Sequence, residues 1–171
     1  MIHVCSLSRL HNVVDDTGAE HVVTLIRDTS RVTRPRSIRE ENHLILSIDD
    51  IEDELEGMIA PAETHVAELL TFVERWERRK PMVVHCFAGI SRSTAAAFIT
   101  ACAIQPEKNE AEIARAIRSA SITAQPNPRI VGFGDKLLGR GGRMVEAVRA
   151  IGKGDFGSGW IEEAEPFVIK I

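Results

Sequence analysis

Nine consecutive residues, His85-Cys-Phe-Ala-Gly-Ile-Ser-Arg-Ser93, bring a thiol, a guanidinium, two hydroxyls and a glycine into one short segment. The segment follows a β-prone run, Met82–Cys86, and leads into an Ala-rich helical stretch, Ser93–Ile104. In open α/β sheets such a strand-to-helix junction lies beyond the carboxyl ends of the strands, where ligands bind. A helix start offers unpaired N–H groups and a partial positive charge. A tight loop feeding it can turn its own N–H groups inward as an anion nest, and Gly89 has the backbone freedom to do so. The N–H groups of Phe87, Ala88, Gly89, Ile90, Ser91 and Arg92 are therefore expected to cradle a phosphoryl group.

Cys86 stands at the start of this cup. Free thiols titrate at about 8.5, and a helix N-terminus or a nearby cation favours the nucleophilic thiolate. An isolated cysteine at a strand end reads as an inert core residue; one followed by Gly, Arg and Ser at this spacing reads as a nucleophile. Arg92 can grip two phosphate oxygens through its planar fork, which a lysine cannot do. Ser93 can donate its hydroxyl toward the sulfur and ease its departure. His85 is expected to orient the loop through a ring N–H, with a satisfied core histidine as the plainer reading.

A departing alkoxide or phenoxide needs a proton. Asp49, Asp50 and Asp53 lie just after the predicted strand His43–Ile48. If that strand runs parallel to Met82–Cys86, all three open on the same side as the cup. Successive side chains diverge, so only one of Asp49 and Asp50 is expected to point inward. The residues alone leave the choice open.

These groups must be held by the elements around them. Ile2–Leu7 and His21–Ile26 read as two further strands, the latter as a continuous buried run. Leu10–Asp16 reads as a short helix stopped by Gly18. Pro61 suits the first turn of a helix in which Val66, Leu69, Leu70, Val73 and Trp76 form one apolar face. Ser93–Ile104 is apolar all round and must be central. Asn109 with Glu112 forms a capping-box-like start for another helix. Two more helices are expected around Val131–Leu138 and Arg143–Ile151, then a Gly-rich loop from Gly152 to Gly159 and an edge strand at Phe167–Ile171. Strands alternating with helices predict an α/β fold: a largely parallel central sheet of about four strands flanked by helices, in a single domain over residues 1–171.

The string His-Cys-x-Ala-Gly-x-Ser-Arg-Ser resembles the signature of the cysteine-based protein tyrosine phosphatase superfamily. It is most similar to the dual-specificity branch and the compact bacterial tyrosine phosphatase-like proteins. The likeness in element order covers roughly residues 1–150. It implies a tyrosine phosphatase-like fold, a cysteinyl-phosphate intermediate, and neither metal nor cofactor. It implies that the general acid lies upstream of the nucleophile in a loop after a strand; Asp50 matches that place best, with Asp49 and Asp53 behind it. Asn127, in a Pro-Asn-Pro turn, resembles a segment that supports the active-site face in dual-specificity phosphatases; the plainer reading is a turn. The expected substrate is a phosphorylated protein or a small phosphomonoester. No lysine lies between Cys86 and Arg92, which makes highly charged inositol phosphates less suited. Two other classes remain: a rhodanese-like sulfurtransferase, and a catalytically silent phospho-binding module.

The composition is compatible with this. With 25 acidic and 21 basic side chains the net charge is −4, which gives no overall attraction to nucleic acid or to an anionic membrane. Arg27, Arg31, Arg34, Arg36 and Arg39 nevertheless crowd one connection, and are expected either to meet an anionic substrate or to form a solvated loop. The three cysteines are too few and too scattered for a disulfide framework, and Cys5 and Cys102 read as core residues. The first residues lack the pattern of a signal peptide, no stretch has the apolar length of a membrane helix, and a reducing cytoplasm is the expected setting.

Overall fold

The computed structural model describes residues 1–158 and 161–170. Five strands form one sheet in the order β3-β2-β4-β1-β5. They are β1 (Ile2–Ser6), β2 (His21–Leu25), β3 (His43–Leu46), β4 (Met82–Cys86) and β5 (Phe167–Ile169). The first four are mutually parallel, and β5 runs antiparallel on β1. The sheet thus has the expected largely parallel character, with the Phe167 segment adding a fifth strand at its edge. In register, Ser6 and Leu25 both lie opposite Cys86, so three strands end together beneath the phosphate loop.

Alternation along the strands divides the core between the two faces of the sheet. Val22 and Val83 pack with Leu10, Val13 and Val14 of helix α1 (Leu10–Thr17). Val23, Val84 and Cys86 face the larger layer, made by α2 (Glu63–Arg75), α3 (Arg92–Ile104), α4 (Glu110–Ala120), α5 (Pro128–Leu137) and α6 (Arg143–Ile151). Helix α3 is buried from Arg92 through Cys102, which is why its sequence is apolar on every side. Fully burying a side chain such as Phe98 or Ile99 stabilises the fold by about 1.5–3 kcal/mol each.

Element ends differ from expectation in small ways. Pro61 lies outside α2, whose N-cap is Ala62, and Trp76 is its C-cap; the indole Nε1 donates to the Lys80 carbonyl at 2.9 Å. Strand β3 stops at Leu46, because Ser47 turns its hydroxyl to the Arg27 carbonyl (2.9 Å) and the chain leaves the ladder. Pro128 opens α5. Residues 152–158 contain no regular element, while Gly159 and Ile171, at the ends of the expected loop and strand, lie outside the described residues.

Candidate active site

Residues 87–91 form a tight loop between β4 and α3. Its carbonyls are drawn outward by surrounding backbone. Phe87 accepts from Leu7 N–H (3.1 Å), Ala88 from Ala164 N–H (2.8 Å), Ile90 from Gln125 N–H (2.9 Å) and Ser91 from Asn127 N–H (3.3 Å). In a trans peptide the N–H points opposite to the C=O, so outward carbonyls leave the N–H groups facing the cup. Gly89 is the tightest point. Its φ is +75°, and a Cβ there would stand 2.9 Å from the backbone of both Cys5 and Ser6. Only glycine meets both demands.

Cys86 lies under this loop, 1% exposed. Its Sγ is 3.1 Å from Ser93 Oγ and accepts the Gly89 N–H at 3.3 Å. Cys5 and Cys102 are free thiols in the core, and burial pushes each up to about 12. They are inert by environment, as expected.

Arg92 is the first residue of α3 and almost wholly buried. Its Nη1 donates to the Ile48 carbonyl at 2.9 Å, tying the end of the β3 connection to the loop. Its Nε has no hydrogen-bond partner and lies 3.8 Å from Asp50 Oδ2. A buried donor left unsatisfied is costly; a phosphate oxygen in the cup would supply the missing acceptor.

The three aspartates after β3 separate clearly. Asp50 Oδ1 accepts from the Ser91 hydroxyl at 2.7 Å and from the Asn127 amide at 2.9 Å. Asp49 points away: its Oδ2 accepts the Ile59 N–H (2.7 Å) and pairs with Arg27 Nε (3.4 Å), closing the loop on itself. Asp53 is exposed. Asn127 also caps α5 through Oδ1 to Ile130 N–H (3.1 Å), so the helix start and the Asp50 carboxylate share one side chain. Asp50, Phe87, Ala88, Ile90, Ser91, Arg92 and Asn127 line a cavity of about 420 Å³ with Glu52, Gln125 and Pro128.

Sequence reasoning missed Arg129. It grips the aspartate loop three ways, at the Pro61 carbonyl (2.6 Å), the Glu52 carbonyl (2.9 Å) and the Glu54 carboxylate (3.2 Å). Nothing local in the sequence marks it beyond a cation just after the Pro-Asn-Pro turn. Thr24 and His43 were missed as well. Thr24 Oγ1 stands between His43 Nε2 (2.8 Å) and His85 Nε2 (2.6 Å), a polar link across β3, β2 and β4. A threonine inside the apolar run of β2 was the available signal. The His85 ring joins neighbouring strands through Nε2, while Nδ1 lies near the Cys86 backbone without a well-directed hydrogen bond. Burial, then the charge of His43, holds the His85 imidazole down at about 3; burial and then Arg34 hold His43 at about 4. Both are neutral near pH 7.

The arginine-rich connection divides. Arg31 places its guanidinium 5.0 Å from the ring centroid of Phe87, which is 48% exposed at the cup's rim. Arg27 is held by Asp49. Arg34 turns back to the Ile38 carbonyl. Arg39 lines a different cavity, beside His21 and Trp76.

The fold is similar to that of solved protein tyrosine and dual-specificity phosphatases. The family model described as protein-tyrosine phosphatase matches residues 56–123, the span that holds Cys86 and Arg92. The phosphatase domain of Yvh1 from Chaetomium thermophilum superposes with a TM-score of 0.63 at 20% identity, over 84% of this chain and 93% of that one. Human DUSP28 gives 0.61 at 18% identity, over 87% and 94%. PTPMT1 in complex with PI(5)P gives 0.62 at 15% identity, over 88% and 94%. No curated protein matches the chain in sequence.

Proposed function

We propose that the chain is a single-domain, cysteine-dependent phosphatase that hydrolyses phosphate monoesters through a cysteinyl-phosphate intermediate. The observation that carries this reading is the convergence on one loop of a buried thiol, an inward Gly89 N–H, the unpartnered Arg92 Nε and the Asp50 carboxylate. In the first step Cys86 Sγ attacks phosphorus in line with the departing oxygen. The S–P bond forms, the P–O bond breaks, and Asp50 gives its proton to the leaving oxygen. The loop N–H groups of residues 87–92 and the Arg92 fork hold the equatorial oxygens as charge grows on them. Water then attacks phosphorus, Asp50 takes its proton, and the sulfur leaves with help from the Ser93 hydroxyl 3.1 Å away. Asp49 and Asn127 serve by holding the aspartate loop and its carboxylate, not by touching substrate. None of these steps calls for a metal ion or a cofactor.

The substrate proposed is phosphotyrosine or phosphoserine/threonine in protein. The residues between Cys86 and Arg92 carry no lysine to meet further phosphates, unlike what an inositol phosphate asks of a site. A reducing compartment suits a reactive thiol, and the cytoplasm is the proposed setting. Among the described residues, no helix is long and apolar enough to cross a membrane.

The test is phosphate release from an aryl phosphate in chelator, with wild type and Cys86→Ser. Turnover by wild type and none by the variant is expected. Equal turnover by both would overturn the cysteine mechanism. A persulfide on Cys86 with no phosphate release would favour sulfurtransfer, and phosphate binding without release a silent binding module.

A further inference from the structure

The segment from Ile161 to Ile169 passes over the phosphate loop and ends as an edge strand. Strand β5 pairs Phe167 with Val4 and Ile169 with Ile2. Before it, Ala164 is 3% exposed and donates its N–H to the Ala88 carbonyl at 2.8 Å. The neighbouring Glu163 is fastened to the chain just after β1. Its carboxylate accepts the Ser8 hydroxyl at 2.5 Å and pairs with Arg9 Nε at 3.6 Å. The strap is therefore anchored on both sides of Ala164, which donates to the loop.

The bond at Ala88 bears on the site because of which peptide it holds. The Ala88–Gly89 peptide has its carbonyl on Ala164 and its N–H on Cys86 Sγ at 3.3 Å. The peptide is planar and trans, so fixing one end fixes the other. Gly89 is also the loop residue with the widest backbone freedom, at φ +75° and with no side chain to lock it. Left alone, this peptide can flip, which would turn a carbonyl toward the sulfur and toward any bound phosphate. The wall on its other side is the end of β1, which lies too close to Gly89 to admit a Cβ.

We infer that Ala164 is a positioning residue: its backbone N–H, delivered by the strap 161–169, keeps the Gly89 N–H aimed into the cup. The inference rests on the phosphatase reading for its importance in turnover, but its physical content concerns only the sulfur and a bound anion. Glu163, Ser8 and Arg9 act at one remove by seating the strap.

The direct experiment removes one N–H and little else. A synthetic C-terminal segment carrying lactate in place of Ala164 is ligated to the preceding chain, giving an ester for that amide, and the all-amide ligation product is the control. Iodoacetate alkylation of Cys86 is followed across pH, with inorganic phosphate as protectant. In the ester chain the alkylation profile should move to higher pH, and phosphate should protect about three- to tenfold less well, the worth of one hydrogen bond. Glu163→Gln with Ser8→Ala should move both quantities the same way by less. A strap that merely stabilises the fold would lower Tm and leave the alkylation profile and phosphate protection of the folded protein unchanged; that result overturns the inference. Neither readout needs turnover. Absence of phosphate release from the all-amide chain would therefore count against the phosphatase reading, while the shift in the ester chain would still decide the role of Ala164.

Discussion

Asn127 donates its side-chain amide to Asp50 at 2.9 Å across 77 residues of sequence. The same Asn127 caps α5, so the carboxylate is registered against a helix start. That contact separates Asp50 from Asp49, which is occupied by Ile59 N–H and Arg27. A general acid contributes roughly 10²–10⁴-fold, and more when the leaving group is poor. Asp50→Ala is expected to slow a phosphotyrosine peptide far more than an activated aryl phosphate, and to remove the alkaline limb of the kcat profile. Asn127→Ala should do the same more weakly, by about two- to tenfold. Asp49→Ala should instead lower Tm with an unchanged leaving-group slope. A leaving-group series across pH on the three variants decides; the steep slope appearing in Asp49→Ala would transfer the acid role to that residue.

Iodoacetate should label Cys86 ahead of Cys5 and Cys102, with free phosphate protecting it. The other two thiols are buried and held near 12, so their thiolate fraction at neutral pH is minute. Peptide mapping after limited alkylation is the measurement. First modification at Cys102 would contradict the environment described for Cys86.

Arg92 has two tasks that a lysine cannot share. Nη1 is spent on the Ile48 carbonyl while Nε is left for an oxyanion. Arg92→Lys should therefore lose kcat/KM nearly as fully as Arg92→Ala. Recovery of most of the activity by lysine would mean that charge alone suffices.

Of the crowded arginines, Arg31 leans on the rim of the cup, over Phe87. Arg31→Gln should raise KM for acidic phosphopeptides and flatten its salt dependence, and leave a small aryl phosphate nearly unaffected. Arg36→Gln and Arg39→Gln should change neither. Equal effects on peptide and aryl substrates would assign Arg31 a structural role.

Acid should destabilise the fold through His85 and His43. Their folded-state values, about 3 and about 4, lie below the ordinary histidine value of 6.5. Between those limits the unfolded chain binds protons that the native one refuses. Stability is thus whole above about pH 6.5 and falls as pH drops toward 3 to 4. Urea midpoints from pH 7 to pH 4 for wild type and His85→Gln test this, with a shallower loss expected for the variant. Parallel slopes would show that other groups dominate.

Much of the site was legible in the sequence because its chemistry is local. Cys86, Gly89, Arg92 and Ser93 fall within eight residues at a strand-to-helix junction, so their order along the chain already places them on one loop. The strands and helices around it were legible too, since period-2 and period-3.6 apolar patterns report which faces are buried. Contacts between distant segments were not. Asp50 and Asp49 are adjacent and chemically identical; the resemblance favoured Asp50, but the partners that separate the two carboxylates, Asn127 and Ser91 against Ile59 and Arg27, come from distant segments. His85 was read as a loop support or a core histidine, and only the parallel register of β2 and β4 reveals that Thr24 stands beside it. Ala164 carries no chemical mark at all; its place on the Ala88 carbonyl exists because β5 adds antiparallel to β1 and lays the preceding residues across the loop. Residue type and spacing thus singled out the candidate reactive groups, and the tertiary structure decided their partners, because a partner is chosen by proximity in space and proximity across 77 residues has no local signature.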